Sequence, residues 1–218
     1  MPARTLNPRT AVLIAVLVAA VLLAPQLLAS ALVGPFASVG GLRDALPGAF
    51  AEHWRIGEGA VTRSLADAAH YWTAFHLVKA VAAALLVVVL MRARLRILAV
   101  LPLVVVLANL QGAVAPVSSL LSMLPADALR ATADARGTTA FAALVHDFAI
   151  YHAAMVVLAA AATVAAVVAG VRAWRRDRRA VAVVLLAAAA LAAVVTAANI
   201  STTADPEPAL VAFLSAGA

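Results

Sequence analysis

The sequence predicts an all-α integral membrane protein, a multi-pass helical bundle with five transmembrane helices. Three observations carry that expectation. Hydrophobic residues make up 66% of the 218-residue chain and charged residues only 12%, with a mean hydropathy of +1.04; globular chains carry about twice that share of charge. The apolar residues are gathered into runs, and roughly 18 uncharged positions suffice to cross a bilayer. Arginines cluster between those runs, where positive charge sets membrane orientation.

Composition also excludes several chemistries. There is no cysteine, so disulfides, thiol redox catalysis and thiolate metal sites are ruled out. The formal net charge of +6 does not point to nucleic acid, because the arginines flank apolar runs instead of forming a polar face. Lys79 is the only lysine, and the Ala- and Arg-rich usage fits a high-GC bacterial source.

The chain reads as a single membrane domain over 1–218. Thr10 to Val33 form the first apolar run. A positive start and Ala29-Ser30-Ala31 also fit a cleavable signal peptide, but the run continues apolar through Leu32 and Val33, which favours a retained helix. Residues 34–69 form an outer loop of short helices on the membrane surface, with His53, Trp54 and Arg55 as an interfacial anchor. Tyr71 to Met91 is the second helix, Arg92, Arg94 and Arg96 its turn, and Ile97 to about Ala115 the third. PVSSLLSMLP (116–125) reads as a short interfacial helix, and a polar loop follows from Ala126 to Ala140. The fourth helix runs from Phe148 to Val171, RAWRRDRR (172–179) turns the chain, and the fifth runs from Ala180 to about Ile200, before a tail.

Ten arginines, namely Arg4, Arg9 and those of the two turns, fall on one side; five arginines and nine of the ten acids fall on the other. The arginine bias places the first set in the cytoplasm. The expected location is the cell (plasma) membrane, with the N-terminus cytoplasmic and the C-terminus outside.

Residues 70–125 and 146–214 also read as two copies of one hairpin. Each opens with histidines six apart, His70 and His76 in HYWTAFH, His146 and His152 in HDFAIYH. Each continues through an arginine turn to Ala-Asn-Leu or Ala-Asn-Ile, with Pro116 and Pro206 seven residues past Asn109 and Asn199. Both copies cross the membrane in the same sense, the arrangement of a parallel repeat about a pseudo-two-fold axis along the membrane normal.

Counting along the helices gathers His76, Lys79, Asn109, Tyr151, His152 and Asn199 in the outer third of the bundle, while the inner half holds almost nothing polar. Ionisable groups at such depths face the bundle interior or a water cavity. Plainer roles exist for each: interhelical hydrogen bonding for the asparagines and histidines, and outward snorkelling for Lys79. His70 and His146 sit at helix entrances, and Asp147 complements a helix N-terminus. Histidines six apart point about 120° away from each other on a helix, so neither pair chelates by itself. A haem or metal site needs His76 and His152 together; no cofactor is predicted.

Trp72, His76 and Lys79 read as W-x3-H-x2-K. This resembles the W-x3-H-x2-R signature of small four-helix anthrone-oxygenase-like membrane proteins, with Phe148, His152 and Met155 at the same spacing in the second copy. In that family the signature belongs to the last helix, whereas here the copy with the basic residue comes earlier. The resemblance implies a membrane family with some cofactor-free oxygenase relatives, and His76 and Lys79 as site residues.

Three functional expectations follow. The first is a polar outer-leaflet pocket for a small or lipid-like ligand, or for a partner membrane protein or second copy, with Lys79 countering an anionic group. The second is a membrane oxidoreductase or haem/metal protein using His76 and His152. The third is a small transporter, disfavoured because polar residues avoid the midplane.

Overall fold

A computed structural model describes residues 7–217; Arg4, one of the arginines counted above, lies outside them. Among the described residues all regular structure is helical: α1 (Pro8–Val33), α2 (Val39–Ile56), α3 (Arg63–Arg92), α4 (Val100–Val114), α5 (Pro116–Leu121), α6 (Ala126–Asp134), α7 (Thr139–Trp174), α8 (Arg179–Ala204) and α9 (Pro206–Gly217).

Four of these, α1, α3, α7 and α8, are long and apolar enough to cross a membrane. The helix read as the third span, α4, has 15 residues. At ~1.5 Å per residue it is about 22 Å long, short of a hydrocarbon core of ~30 Å. It is short because residues 95–99 are spent in turns and Pro116 opens a new helix at its far end.

The two arginine turns close in the same way. Leu95 N–H donates to Leu90 O (2.9 Å) and Arg178 N–H to Ala173 O (3.0 Å), the long-range bond of a Schellman ending. The residue that reverses the chain is left-handed in both, Arg94 at φ 64° and Asp177 at φ 54°. Glycine is the usual choice there; here the turns keep a charged side chain at the bundle end.

The membrane layer buries little of itself: 6% of the most apolar window of α1 and 11% of those of α7 and α8 lie inside the protein. Apolar side chains gain nothing by leaving lipid for each other, so such helices associate by close packing of small residues. Gly170 of α7 lets Ala182 and Leu186 of α8 come close in this manner, and Ala159, Ala173 and Ala189 of the same two helices are buried as well. Within the layer α1 lies along α3, α3 along α4 and α7 along α8, and the two hairpins meet through α4 and α7. This seam joins the second helix of one hairpin to the first of the next, a head-to-tail contact. The expected pseudo-two-fold would repeat this seam between α3 and α8, which make no comparable contact among the described residues, so the hairpins stand side by side.

The dense core lies beyond one end of the layer. Leu42, Leu46 and Phe50 of α2 pack with Leu65 and Tyr71 of α3, Leu120 and Leu121 of α5, and Phe141 and Leu144 of α7. Leu129 of α6 and Leu210 and Leu214 of α9 complete this cap. Several expectations are corrected here. The polar loop 126–140 contains α6, and the tail contains α9, pinned by the Arg136–Glu207 ion pair at 2.8 Å. α3 and α7 begin at Arg63 and Thr139, so His70 and His146 lie two turns inside their helices, not at the entrances. His53 and Trp54 are not a surface anchor: His53 is 3% exposed, and Trp54 Nε1–H donates to Thr132 Oγ1 on α6 at 3.2 Å. Sequence hydropathy misses this cap because its helices are short, and α2 and α6 are amphipathic; they are covered by one another.

Local signals set the cap's entrances. Ser38 caps α2 by accepting from Gly41 N–H at 3.1 Å, and Gly57 ends it at φ 71°. Thr138 caps α7 through Phe141 N–H at 3.1 Å, and Thr139 Oγ1–H reaches back to Gly57 O at 2.7 Å. The end of α2 is thereby tied to the start of α7.

Candidate functional site: two histidine–asparagine pairs under the cap

Exposed large apolar side chains begin at Leu77 on α3 and at Ile150 on α7 and continue to Met91 and Trp174. His76 and His152 therefore stand at the upper margin of the lipid-facing band, directly beneath the cap. Each is paired across its own hairpin. His76 Nδ1 lies 2.7 Å from Asn109 Oδ1, and His152 Nδ1 lies 2.7 Å from Asn199 Oδ1. Each ring also meets an aromatic one turn above it edge-on: Trp72 over His76 at 4.5 Å and Phe148 over His152 at 4.4 Å between centroids.

The asparagines fix the histidine tautomer. Asn109 Nδ2 donates to Val105 O at 2.7 Å and Asn199 Nδ2 to Val195 O at 2.8 Å. A backbone carbonyl only accepts, so the atom facing it is the amide NH2 and the atom facing the imidazole is the carbonyl oxygen. That oxygen in turn only accepts, so Nδ1 carries the hydrogen in both histidines. The lone pair of the neutral ring is then on Nε2. The sequence spacing pointed to the four residues but not to this directionality.

The two Nε2 atoms meet different surroundings. At His76 the atom is buried and has no hydrogen-bond partner. Gly112, one turn beyond Asn109, abuts the ring so closely that a Cβ there would sit 2.5 Å from Nε2. Trp72 Nε1–H donates to Ser119 Oγ at 3.0 Å and closes the ring from above. In the second hairpin Thr202 stands at the position of Gly112, three residues past the asparagine. His152 lines a cavity of about 300 Å³ together with Phe148, Tyr151 and Thr202. Ser118, Ser119 and Ser122 of the α5 segment and Ala209 and Phe213 of α9 complete its wall.

α5 is held over this cavity by a charged acceptor: Asp147 Oδ2 on α7 takes Ser118 N–H at 2.7 Å. Asp147 lies well inside α7, not at the helix N-terminus expected for it, and serves the first turn of α5 instead. Gln111 Nε2–H donates to Tyr151 O at 3.3 Å across the α4–α7 seam, which sets the two pairs at the same level. Tyr151 and His152 thus share the cavity, Asn199 stands behind His152, and His76 and Asn109 form a closed counterpart. Lys79 is elsewhere, with Nζ 5.5 Å from the centroid of the Phe75 ring in a cation–π arrangement. The serines, Thr202, Gly112 and Phe213 carried no distinctive sequence signal, except that Ser118 and Ser122 share one face of a helix at i, i+4 spacing.

No family model, curated protein or solved structure matches this chain.

Proposed function

We propose that this chain is a bacterial plasma-membrane protein whose outer-side cavity binds a small, partly apolar ligand bearing a hydrogen-bond donor, held by the Nε2 lone pair of His152. The observation that carries the reading is the contrast between the two pairs. The same His–Asn geometry ends in a sealed ring at His76 and in a cavity at His152. Phe148 and Phe213 supply apolar wall, and the serine and threonine hydroxyls and Tyr151 supply polar positions, the composition of a small-molecule site. Asn199 holds the imidazole in one tautomer, so its base strength and direction are set before a ligand arrives.

Five crossings are part of the reading, with residues 95–114 spanning as the third, the N-terminus inside and the C-terminus outside. So is descent of the two hairpins from one unit. In favour of that descent, His76 to Arg94 and His152 to Asp177 are 18 and 25 residues, and the returns to Asn109 and Asn199 are 15 and 22. Both helices of the second hairpin are longer by seven residues, close to two turns, which keeps every matched face in register. The hairpins then relate by lateral repetition, consistent with the head-to-tail seam.

A second reading rests on the same lone pair. Nε2 with Nδ1–H bound to a carbonyl oxygen is how histidine is presented to haem iron or zinc. One experiment addresses both. Native mass spectrometry, metal analysis and an absorption spectrum of the detergent-purified chain should reveal a co-purifying molecule lost in His152→Ala and kept in His76→Ala. Equal loss in both variants, or retention in His152→Ala, refutes the assignment. A Soret band or stoichiometric metal that vanishes with His152 replaces the first reading by the second.

A further inference from the structure

The opposite end of the membrane layer carries a larger cavity, of about 850 Å³, where the hairpins separate below the α4–α7 seam. Its walls are apolar: Val87 of α3, Val100 and Leu103 of α4, Ala165 and Ala169 of α7, and Leu185 of α8. Its rim carries Arg96, Arg172, Arg176 and Arg178. None of the four forms a carboxylate ion pair among the described residues; the Arg136–Glu207 pair lies at the other end, in the cap. Asp177, the single acid of the two turns, is not in the lining.

The levels of these arginines follow from the sequence. Arg96 lies 20 residues past His76, and Arg172 lies 20 residues past His152. Arg96 follows the reversal at Arg94, 18 residues below His76, so it stands higher than Arg172, which α7 carries straight down, and Arg176 and Arg178 lie lower still because the second hairpin is longer. An apolar cleft open along lipid-facing helices, headed by four uncompensated guanidiniums at different levels, suits one kind of occupant. We propose that it holds an anionic phospholipid, with an acyl chain against the α4 and α7 walls and the phosphate among the arginines. Guanidinium forks match phosphate oxygens bidentately, and basic clefts between helices at the positive side of a membrane protein select acidic headgroups. A zwitterionic lipid leaves the four charges without net compensation, and a soluble anion leaves the apolar wall without an occupant.

The test uses the delipidated full chain in neutral detergent, with lipid retention read by native mass spectrometry. Phosphatidylglycerol should be retained in preference to phosphatidylcholine, and R96Q/R172Q/R176Q/R178Q should lower its retention about tenfold or more. R92Q/R94Q/R175Q/R179Q removes the same four charges from the same end but off the cavity lining, and should retain it. A fold or orientation sensitive to charge alone would suffer alike in both. Ala169→Trp, at an exposed position, fills the cleft without touching a charge and should displace the lipid too. The proposal is overturned if both quadruple variants lose phosphatidylglycerol equally, if phosphatidylcholine is retained as well, or if Ala169→Trp changes nothing. It is also overturned if inorganic phosphate binds as tightly as the lipid.

Discussion

Gly112 offers the sharpest test of the closed His76 pair. In Gly112→Ala the new Cβ would lie 2.5, 2.8 and 2.9 Å from Nε2, Cε1 and Cδ2 of His76, inside the contact distance of every ring atom on that edge. The ring has no easy escape: Asn109 holds Nδ1 at 2.7 Å and Trp72 stacks edge-on at 4.5 Å. Relief requires α4 to move off α3 or the His76–Asn109 bond to break. Overpacking costs ~1–3 kcal/mol, and Ala replacing Gly in a helix returns at most ~1 kcal/mol. The net expectation is a loss of about 1–2 kcal/mol in reversible detergent unfolding followed by far-UV circular dichroism. The decisive measurement is the double-mutant cycle. In a His76→Ala background the clash is gone, and Gly112→Ala should be neutral or stabilising. Gly170→Ala is the internal control, because its Cβ would press only on the flexible Leu186 side chain, at 3.0 Å, with Ala182 O at an ordinary 3.5 Å, and should cost under ~1 kcal/mol. If Gly112→Ala has the same effect with and without His76, the close approach of ring and backbone does not govern stability and the argument fails.

Asp147→Ala removes the acceptor of Ser118 N–H and should loosen α5 over the cavity. A hydrogen bond to a charged acceptor contributes ~1.5–3 kcal/mol, and faster amide exchange across 116–121 is the readout; unchanged exchange there counts against it. His53 predicts a pH dependence confined to the cap. Burial lowers its pKa from 6.5 in the folded chain, so the unfolded state binds the extra proton first. Stability is complete above pH ~6.5 and falls as pH drops below it. The Trp54 fluorescence transition should follow that fall in the native chain and lose it in His53→Gln; an unaltered pH profile in the variant assigns the effect elsewhere. Glu207→Gln breaks an ion pair whose side chains are 58% and 46% exposed, and should shift stability by less than ~1 kcal/mol. A larger loss would mean that α9 depends on that bond and not on Leu210 and Leu214.

The parts of this protein readable without coordinates are those governed by the solvent. Long apolar runs, the arginine turns and the depth of polar residues are counts along a helix, and lipid enforces them segment by segment. His76, Asn109, His152 and Asn199 could be singled out for that reason, since a polar side chain in a lipid-facing run stands out by position alone. Tertiary structure decided what no such count contains. The cap is held by Trp54 meeting Thr132 and by α9 packing against α6, contacts between segments far apart in sequence and too short to be read as spans. That Gly112 closes on His76 while His152 and Thr202 line a cavity also appears only when the helices are brought into contact. The side-by-side order of the hairpins likewise comes from the α4–α7 seam, because nearly featureless alanine and valine faces carry no local instruction about which neighbour they meet.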